Sequence, residues 1–532
     1  MNFHVLLGFL LFEPLLAYNV LIISPHFGYS HMKFMGLLAD LLLDAGHSVT
    51  LFEPLVLDSY KSKKVVSSPN VTRIFYEHDA EGIAYVKKKG DKFFSELWEP
   101  TESLTGILDL PNVFIADFQH MSKKIFRDKE MHEMLRSKKF DLAISETFDF
   151  TGLYLADFLE IPSVLPVFSA VRLPGPMNAL GQDFSSNIIP GAFSKYGDES
   201  TIGDRAKNLM SHKLFAYIFN TVFDKQYEWA KEAFGDKARH WEDIVADGTF
   251  FLTNGNNYLD FPMMLLPKIV PIGGITMTND KSILKPLPEE YNKMLSERSS
   301  TVFVSFGSVL RSVDMPWRYK ESLIKVFELM PDTTFIWKYE EDDKDLSAKL
   351  PSNVHLRKWV PQPALLADKR VKAFVTHGGL GSTMEVAYSG KAALMIPVFG
   401  DQPINAEMLA RHGSALRYNV KDLTDAPKFV SHLKRLTQIP SFAENAQKLS
   451  EVLKNPPIDP RQIALKHIEF AARFGKLPNM NSHARKLNFV QYYFLDIAAI
   501  IFSCLFVIVY VTSKVVCGVA KFLKGNVKEK SQ

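Results

Sequence analysis

The run that decides the fold is Thr376-His377-Gly378-Gly379-Leu380-Gly381-Ser382-Thr383-Met384-Glu385. It follows Lys372–Thr376, which reads as a strand, and opens a helix that begins at about Leu380 and runs to Ser389. A strand that ends in His-Gly-Gly and turns straight into a helix builds an anion site. The first helix N–H groups lack partners, the dipole favours negative charge, and glycine lets a phosphate come close. His377 adds a donor, and Glu385, one turn in, can accept from two ribose hydroxyls. Upstream, in Trp359-Val360-Pro361-Gln362, Trp359 offers a flat face for a base. Each piece alone also fits a glycine-rich turn beside a core tryptophan, and their order together carries the reading.

Outward from this run the same alternation repeats. Thr301–Phe306, Thr333–Trp337 and Ala393–Pro397 read as strands, Pro316–Met330 and Gln402–His412 as helices. Gly307-Ser308 ends the first of these strands, where a plain turn and a phosphate-bonding hydroxyl are both open readings. Pro286, Pro288 and the polar Ser296–Ser300 mark a boundary. Before it, Asn19–Ser24, Ser48–Phe52, Phe140–Ser145 and Thr249–Thr253 read as strands and Met32–Ala45 as a helix. Residues 80–135 and 170–245 are helical or irregular and show no clean period. Strand and helix in alternation predict an α/β chain: two similar folds in tandem, each a parallel sheet under helices. Ligands of such sheets sit beyond the strand ends, which directs attention to the loops after Ser24, Ser145, Phe306, Thr376 and Pro397.

Composition narrows the function. The 532 residues are 47% apolar and 23% charged, an ordinary globular balance. The net charge of +3 is concentrated in the five lysines beyond Ser513, so the body is near neutral and offers no broad basic face to nucleic acid. The only cysteines, Cys504 and Cys517, lie at the apolar carboxyl end, which excludes disulfides, thiolate zinc sites and thiol nucleophiles from the body. No metal site is indicated. His132-Glu133 lacks the second histidine of a zinc motif, and Asp343-Lys344-Asp345 reads as part of a solvated acidic loop.

Both ends point to a membrane. Val5–Phe12 is an apolar run with Ala17 at a cleavage-like position, a signal peptide or alternatively a first buried strand. Ile497–Ser513 carries no charge, and Tyr492–Ser513 spans 22 residues with one acid. At about 1.5 Å per residue, 22 residues reach roughly 33 Å, enough to cross a bilayer. Tyr492 and Tyr493 mark one interface and Lys514, Lys521 and Lys524 the other. The expected topology is single-pass type I with a lumenal body, and Lys528-Glu529-Lys530-Ser531-Gln532 resembles a dilysine signal of the endoplasmic reticulum membrane. The sequon Asn70-Val71-Thr72 makes Asn70 a glycosylation candidate, in keeping with a lumenal glycoprotein.

From Trp359 to Gln402, through His377-Gly378-Gly379 and Pro397-Val398-Phe399-Gly400-Asp401-Gln402, the chain resembles the UDP-glycosyltransferases, in particular the membrane-anchored animal UDP-glucuronosyltransferases of detoxification. The resemblance implies two Rossmann-like domains facing across a cleft, the GT-B arrangement. The spans expected are 1–17 signal peptide, 18–285 acceptor domain, 286–460 UDP-sugar domain, 461–491 helical segment, 492–513 membrane helix and 514–532 basic tail. It implies Trp359 stacking on uracil, Gln362 bonding the nucleoside and Glu385 the ribose. Ser308, His377 and Gly379 would hold the diphosphate, and Asp401 and Gln402 the sugar. Gly381 and Ser382 depart from the Asn-Gly pair of many relatives.

By the same resemblance the first half holds the acceptor and the base. Tyr29-Ser30-His31-Met32 opens a helix, and a histidine in the first turn meets the positive dipole end, which disfavours the imidazolium. His31 is the expected base, with His26 its rival. Its orienting acid is expected at Glu146, where vertebrate relatives have Asp, with Asp149 the fallback. The expected reaction is inverting transfer from a UDP-sugar, a co-substrate needing no cofactor, to a hydroxyl of a small lipophilic acceptor. UDP-glucuronate and UDP-glucose both fit, since no residue is plainly dedicated to a sugar carboxylate. The rivals are a UDP-sugar-binding pseudoenzyme or chaperone subunit, which intact His31 and Glu146 oppose, and a soluble hexosyltransferase or epimerase, which the two ends oppose. A homo- or hetero-oligomer is open.

Overall fold

The computed structural model describes residues 17–56, 60–85, 98–99, 104–182, 189–191, 201–277 and 286–529. The expected signal run and the last three residues of the tail signal lie outside them.

The first sheet has seven strands in the order β3-β2-β1-β4-β5-β6-β7. They are β1 Asn19–Ile23, β2 Ser48–Pro54, β3 Thr72–Tyr76, β4 Leu142–Glu146, β5 Ser163–Phe168, β6 Phe251–Thr253 and β7 Ile269–Pro271. The second has six, in the order β10-β9-β8-β11-β12-β13. These are β8 Ser300–Ser305, β9 Thr333–Lys338, β10 Val354–Arg357, β11 Val371–Thr376, β12 Ala392–Met395 and β13 Ala415–Arg417. The described pairings are all parallel. Helices cover both faces, so central strands such as Val20-Leu21-Ile22-Ile23 are apolar throughout instead of alternating.

Both sheets reverse direction beside their first strand: β4 joins the other edge of β1, and β11 the other edge of β8. Crevices open at these switch points, beyond the carboxyl ends of the strands. His31 lies in the first turn of the helix that follows β1, Glu146 is the last residue of β4, and the loops after β8 and β11 carry Ser308 and His377.

The expected strands and helices form with ends shifted by one to three residues. Five strands escape the sequence reading: β3, β5, β7, β10 and β13. β3 sits at the sheet edge with a mixed burial pattern, β5 is interrupted by Pro166, and β7 and β13 have three residues each. The region read as helical or irregular contains a 33-residue helix, Ile202–Phe234, closed by a Thr201–Asp204 capping box. It packs along the helix Leu104–Arg127, joining Phe114, Phe118, Phe219 and Phe223 in one aromatic core.

Among the described residues, chain crosses between the halves at several places, two of which complete cores. The helix Pro460–Phe474 follows the second sheet but lays Ala464, Ile468 and Ala471 against Val20, Ile22 and Leu142 of the first. Trp98 precedes β4 yet is fully buried in the core of the second half, against Phe306, with its indole N–H donating to the Arg311 carbonyl at 2.9 Å.

At the carboxyl end, Tyr492 closes a short helix, and a long helix then runs Leu495–Glu529 instead of ending near Ser513. Past Ser513 the chain has the helix formers Lys514, Ala520, Lys521, Leu523 and Lys524 and no proline, so nothing breaks the helix there. Leu495–Leu523 is long and apolar enough to cross a membrane, with a mean hydropathy of 2.4 and no part of that stretch covered by the body. Asn70 lies exposed on the turn before β3. Asp343, read as part of a solvated loop, caps the helix Lys344–Ser347 through Leu346 N at 2.8 Å and accepts from the Tyr339 hydroxyl.

Candidate active site

A cleft of about 2220 Å³ between the halves gathers His31, Ser308, Trp359, Gln362, His377, Gly379, Glu385, Asp401 and Gln402 on its walls. On the second-half wall, Gly379 caps the helix Leu380–Ser389 with extended backbone and no side chain in the way. The His377 ring is wedged between glycines. A Cβ on Gly307, whose φ is +92°, or on Gly379 would come within 2.6 Å of the imidazole, so the approach requires glycine at both. Burial, with Lys338 nearby, lowers the His377 pKa to about 3, so the ring meets a ligand as a neutral imidazole. The Lys338 ammonium donates to the Gly307 carbonyl and tethers the loop that carries exposed Ser308.

Trp359 stands 62% exposed on the loop between β10 and the helix Gln362–Ala367 and lines the cleft, with the Lys63 and Lys338 ammonium groups 5.6 and 5.9 Å from its ring centroid. Its backbone carbonyl accepts from the Tyr291 hydroxyl at 3.0 Å. The Gln362 amide donates to Glu385 Oε2 at 2.6 Å and to Ser382 Oγ at 3.1 Å. Asp401 is buried, which pushes its carboxyl pKa up, while Asn405 Nδ2 at 2.9 Å and the facing His31 act in the opposite direction. The Gln402 carbonyl oxygen accepts from Val398 N and Phe399 N at 2.8 and 3.1 Å and so shapes the loop before it.

On the first-half wall, His31 sits in the first turn of the helix Tyr29–Asp44. Its Nδ1 lies 3.5 Å from Glu146 Oε2 and hydrogen-bonds Ser169 Oγ. Glu146 ends β4, is 1% exposed, and accepts at Oε1 from Phe148 N and Ser169 N, both at 3.3 Å. The fallback acid, Asp149, is turned inward. It accepts from Thr151 N at 2.9 Å, from the Thr151 hydroxyl and from Gln226 Nε2 at 2.6 Å. The rival histidine, His26, is fully buried with Nε2 at 3.0 Å from Glu53, which Arg73 also grips. It belongs to a structural network off the cleft wall.

A family model described as UDP-glucoronosyl and UDP-glucosyl transferase matches residues 19–530. This chain belongs to that family. Mouse UDP-glucuronosyltransferase 1A9 is 28% identical over 93% of the chain and 90% of its own length. UDP-glycosyltransferase UGT5 of Dactylopius coccus is 28% identical over 93% and 91%. Among solved structures, the glycotransferase of kitacinnamycin aligns with a TM-score of 0.56 at 18% identity, over 86% of this chain and 98% of that one. Glycosyltransferase VinC in complex with DTDP aligns at 0.53 and 18%, over 85% and 100%. The chain is thus a glycosyltransferase enzyme of GT-B fold.

In this UDP-glycosyltransferase the Gly381-Ser382 departure has a local use, because the Ser382 hydroxyl helps to aim Gln362. Sequence reasoning missed Ser169, Lys33 and Lys338. Ser169 follows β5, whose interruption by Pro166 hid the strand and with it the loop. Lys33 shares a helix turn with His31 and lies 4.0 Å from Glu385, a contact between residues 352 positions apart that no local pattern signals. The aromatic lining was visible only as composition. Phe27 stacks on Phe148 at 4.8 Å, and both rings flank His31 at 4.6 and 5.3 Å. Among the described residues, no cluster of three or more His, Cys, Asp or Glu is arranged to hold a metal.

Proposed function

We propose that the enzyme transfers a sugar from UDP-glucuronate or UDP-glucose to a hydroxyl of a small lipophilic acceptor, with inversion, using His31 as base. The observation that carries this is the His31–Glu146 pair, 3.5 Å apart, on the same cleft as the His377–Gly379 anion site. With the proton on Nδ1 facing Glu146 and Ser169, Nε2 takes the acceptor hydroxyl proton, and Glu146 balances the resulting charge. The acceptor oxygen bonds the anomeric carbon as its bond to the diphosphate breaks, and UDP leaves with the electron pair. The helix N–H groups beyond Gly379, with Ser308 and His377, meet the charge that grows on the diphosphate. Trp359, Gln362 and Glu385 hold the nucleoside, and Asp401 and Gln402 the sugar. No cofactor is required.

Phe27, Phe114, Phe118, Phe148, Phe215 and Phe219 line the acceptor end, which suits a flat lipophilic molecule of the kind handled in detoxification. The long apolar helix supports a single-pass anchor, with the body in the lumen of the endoplasmic reticulum and Asn70 glycosylated. Incubating microsomes that carry the chain with several UDP-sugars and a phenol panel tests the reading. Product should form with one or two UDP-sugars and have inverted anomeric configuration. UDP-sugar binding with no turnover for any acceptor would favour the pseudoenzyme.

A further inference from the structure

Glu385 presents a carboxylate to a site that receives a diphosphate dianion, so its charge opposes the ligand it helps to bind. One of its oxygens is held by Gln362 at 2.6 Å. The other, Oε1, faces Lys33 Nζ at 4.0 Å, across the cleft from the other half of the molecule. Lys33 lies two residues after His31 in the same helix turn. A second lysine of that half, Lys63, stands 5.6 Å from the centroid of the Trp359 ring. The nucleoside end of the cleft is therefore met by cations from the acceptor half at two separate residues.

We propose that Lys33 completes the donor nucleoside site from the acceptor half, as a positioning residue that orients Glu385 and ties donor binding to the helix bearing His31. The proposal rests on the reading of Glu385 as the ribose acceptor. One consequence follows from the chemistry. The ammonium offsets the Glu385 charge, so the diphosphate meets less repulsion on entry.

The test uses the full-length enzyme in detergent, with UDP affinity from calorimetry and initial rates in which donor and acceptor are varied separately. Lys33→Met should raise the UDP Kd and the donor KM by roughly 1.5- to 5-fold, the range of a solvent-accessible ion pair. The acceptor KM should stay put, and kcat should change much less than the donor KM. Lys33→Arg should recover most of the loss. The wild-type advantage should shrink at high salt, which screens the pair. Lys63→Ala should add a smaller rise in donor KM.

An unchanged donor KM in Lys33→Met would overturn the proposal. So would equal rises in both KM values, or a Lys33→Arg enzyme as weak as Lys33→Met. Glu385→Ala separates the two layers. If it leaves UDP affinity intact, the nucleoside assignment itself fails. If it weakens UDP while Lys33→Met does not, the assignment stands and only Lys33 falls.

Discussion

Replacing Glu146 with Gln keeps the shape of the side chain and its acceptor for Phe148 N and Ser169 N, removes the charge facing His31 and puts there an amide NH2 that cannot accept the Nδ1 proton. The Nδ1 to Oε2 separation of 3.5 Å sets the size of the effect. At an effective dielectric constant of about 20, a full imidazolium and a carboxylate at that distance attract by about 4.7 kcal/mol. If the proton is half transferred in the transition state, about half of that is lost, roughly 50-fold in rate; complete transfer gives roughly 3000-fold. We therefore expect kcat to fall between those limits while the UDP Kd is unchanged. Glu146→Asp, which draws the carboxylate back by one methylene, should fall in between. The assay is single-turnover product formation under saturating donor, with UDP affinity measured in parallel. Asp149→Asn is the control. Its carboxylate serves Thr151 and Gln226 and not His31, so this variant should lose thermal stability but keep its rate per folded molecule. A Glu146→Gln enzyme with more than half the wild-type kcat would refute the charge role, and a larger kcat loss at Asp149 would move the role there.

Trp359→Ala removes a stacking face, worth on the order of 1–3 kcal/mol per base; the donor KM should rise roughly 5- to 100-fold in steady-state rates while the acceptor KM holds. The His377 pKa is about 3 in the folded chain against 6.5 in the free side chain, so the unfolded state binds more protons between those values. Wild-type stability should fall as pH drops from 6.5 toward 3, and His377→Gln should lack that component, so the gap in melting temperature between them closes on acidification. Trp98→Ala empties a fully buried site and should cost about 3–5 kcal/mol in denaturant unfolding of the chain. A chain ending before Asn488 should leave the membrane pellet on alkaline extraction, which the full chain should resist.

How much of this could be read from residues depends on the range of the interaction. The His377–Glu385 run was legible because strand end, glycines and helix start follow one another, and the chemistry is built from neighbours. His31 was legible for the same reason, as a helix start after a strand. Glu146 needed the family resemblance, since nothing local separates it from Asp149. What separates them is that Glu146 closes β4 at the switch point while Asp149 begins the turn into the helix Thr151–Phe158 and points into the core. Ser169 depends on the pairing of β5 with β4, and Lys33 on the packing of two halves. Neither register nor packing leaves a local trace.

The switch points also explain why the chemistry needs both sheets. His31 and Glu146 flank the crevice of the first, and Ser308 and His377 flank that of the second, so in the proposed reaction proton removal and leaving-group stabilisation fall on different halves. Each half in turn completes its core with chain from beyond its own span. The helix Pro460–Phe474 covers Val20, Ile22 and Leu142, and Trp98 fills the space behind Phe306 and the loop of Ser308. A fragment ending near residue 285 would expose the strands that position His31. A fragment beginning near 286 would leave an unfilled site directly behind the anion loop. Burial of a large aromatic and three helix positions is worth several kcal/mol, comparable with the net stability of a domain. The two walls of the cleft are thus built from one folding unit, and His31 and His377 keep their register because the same crossings stabilise both.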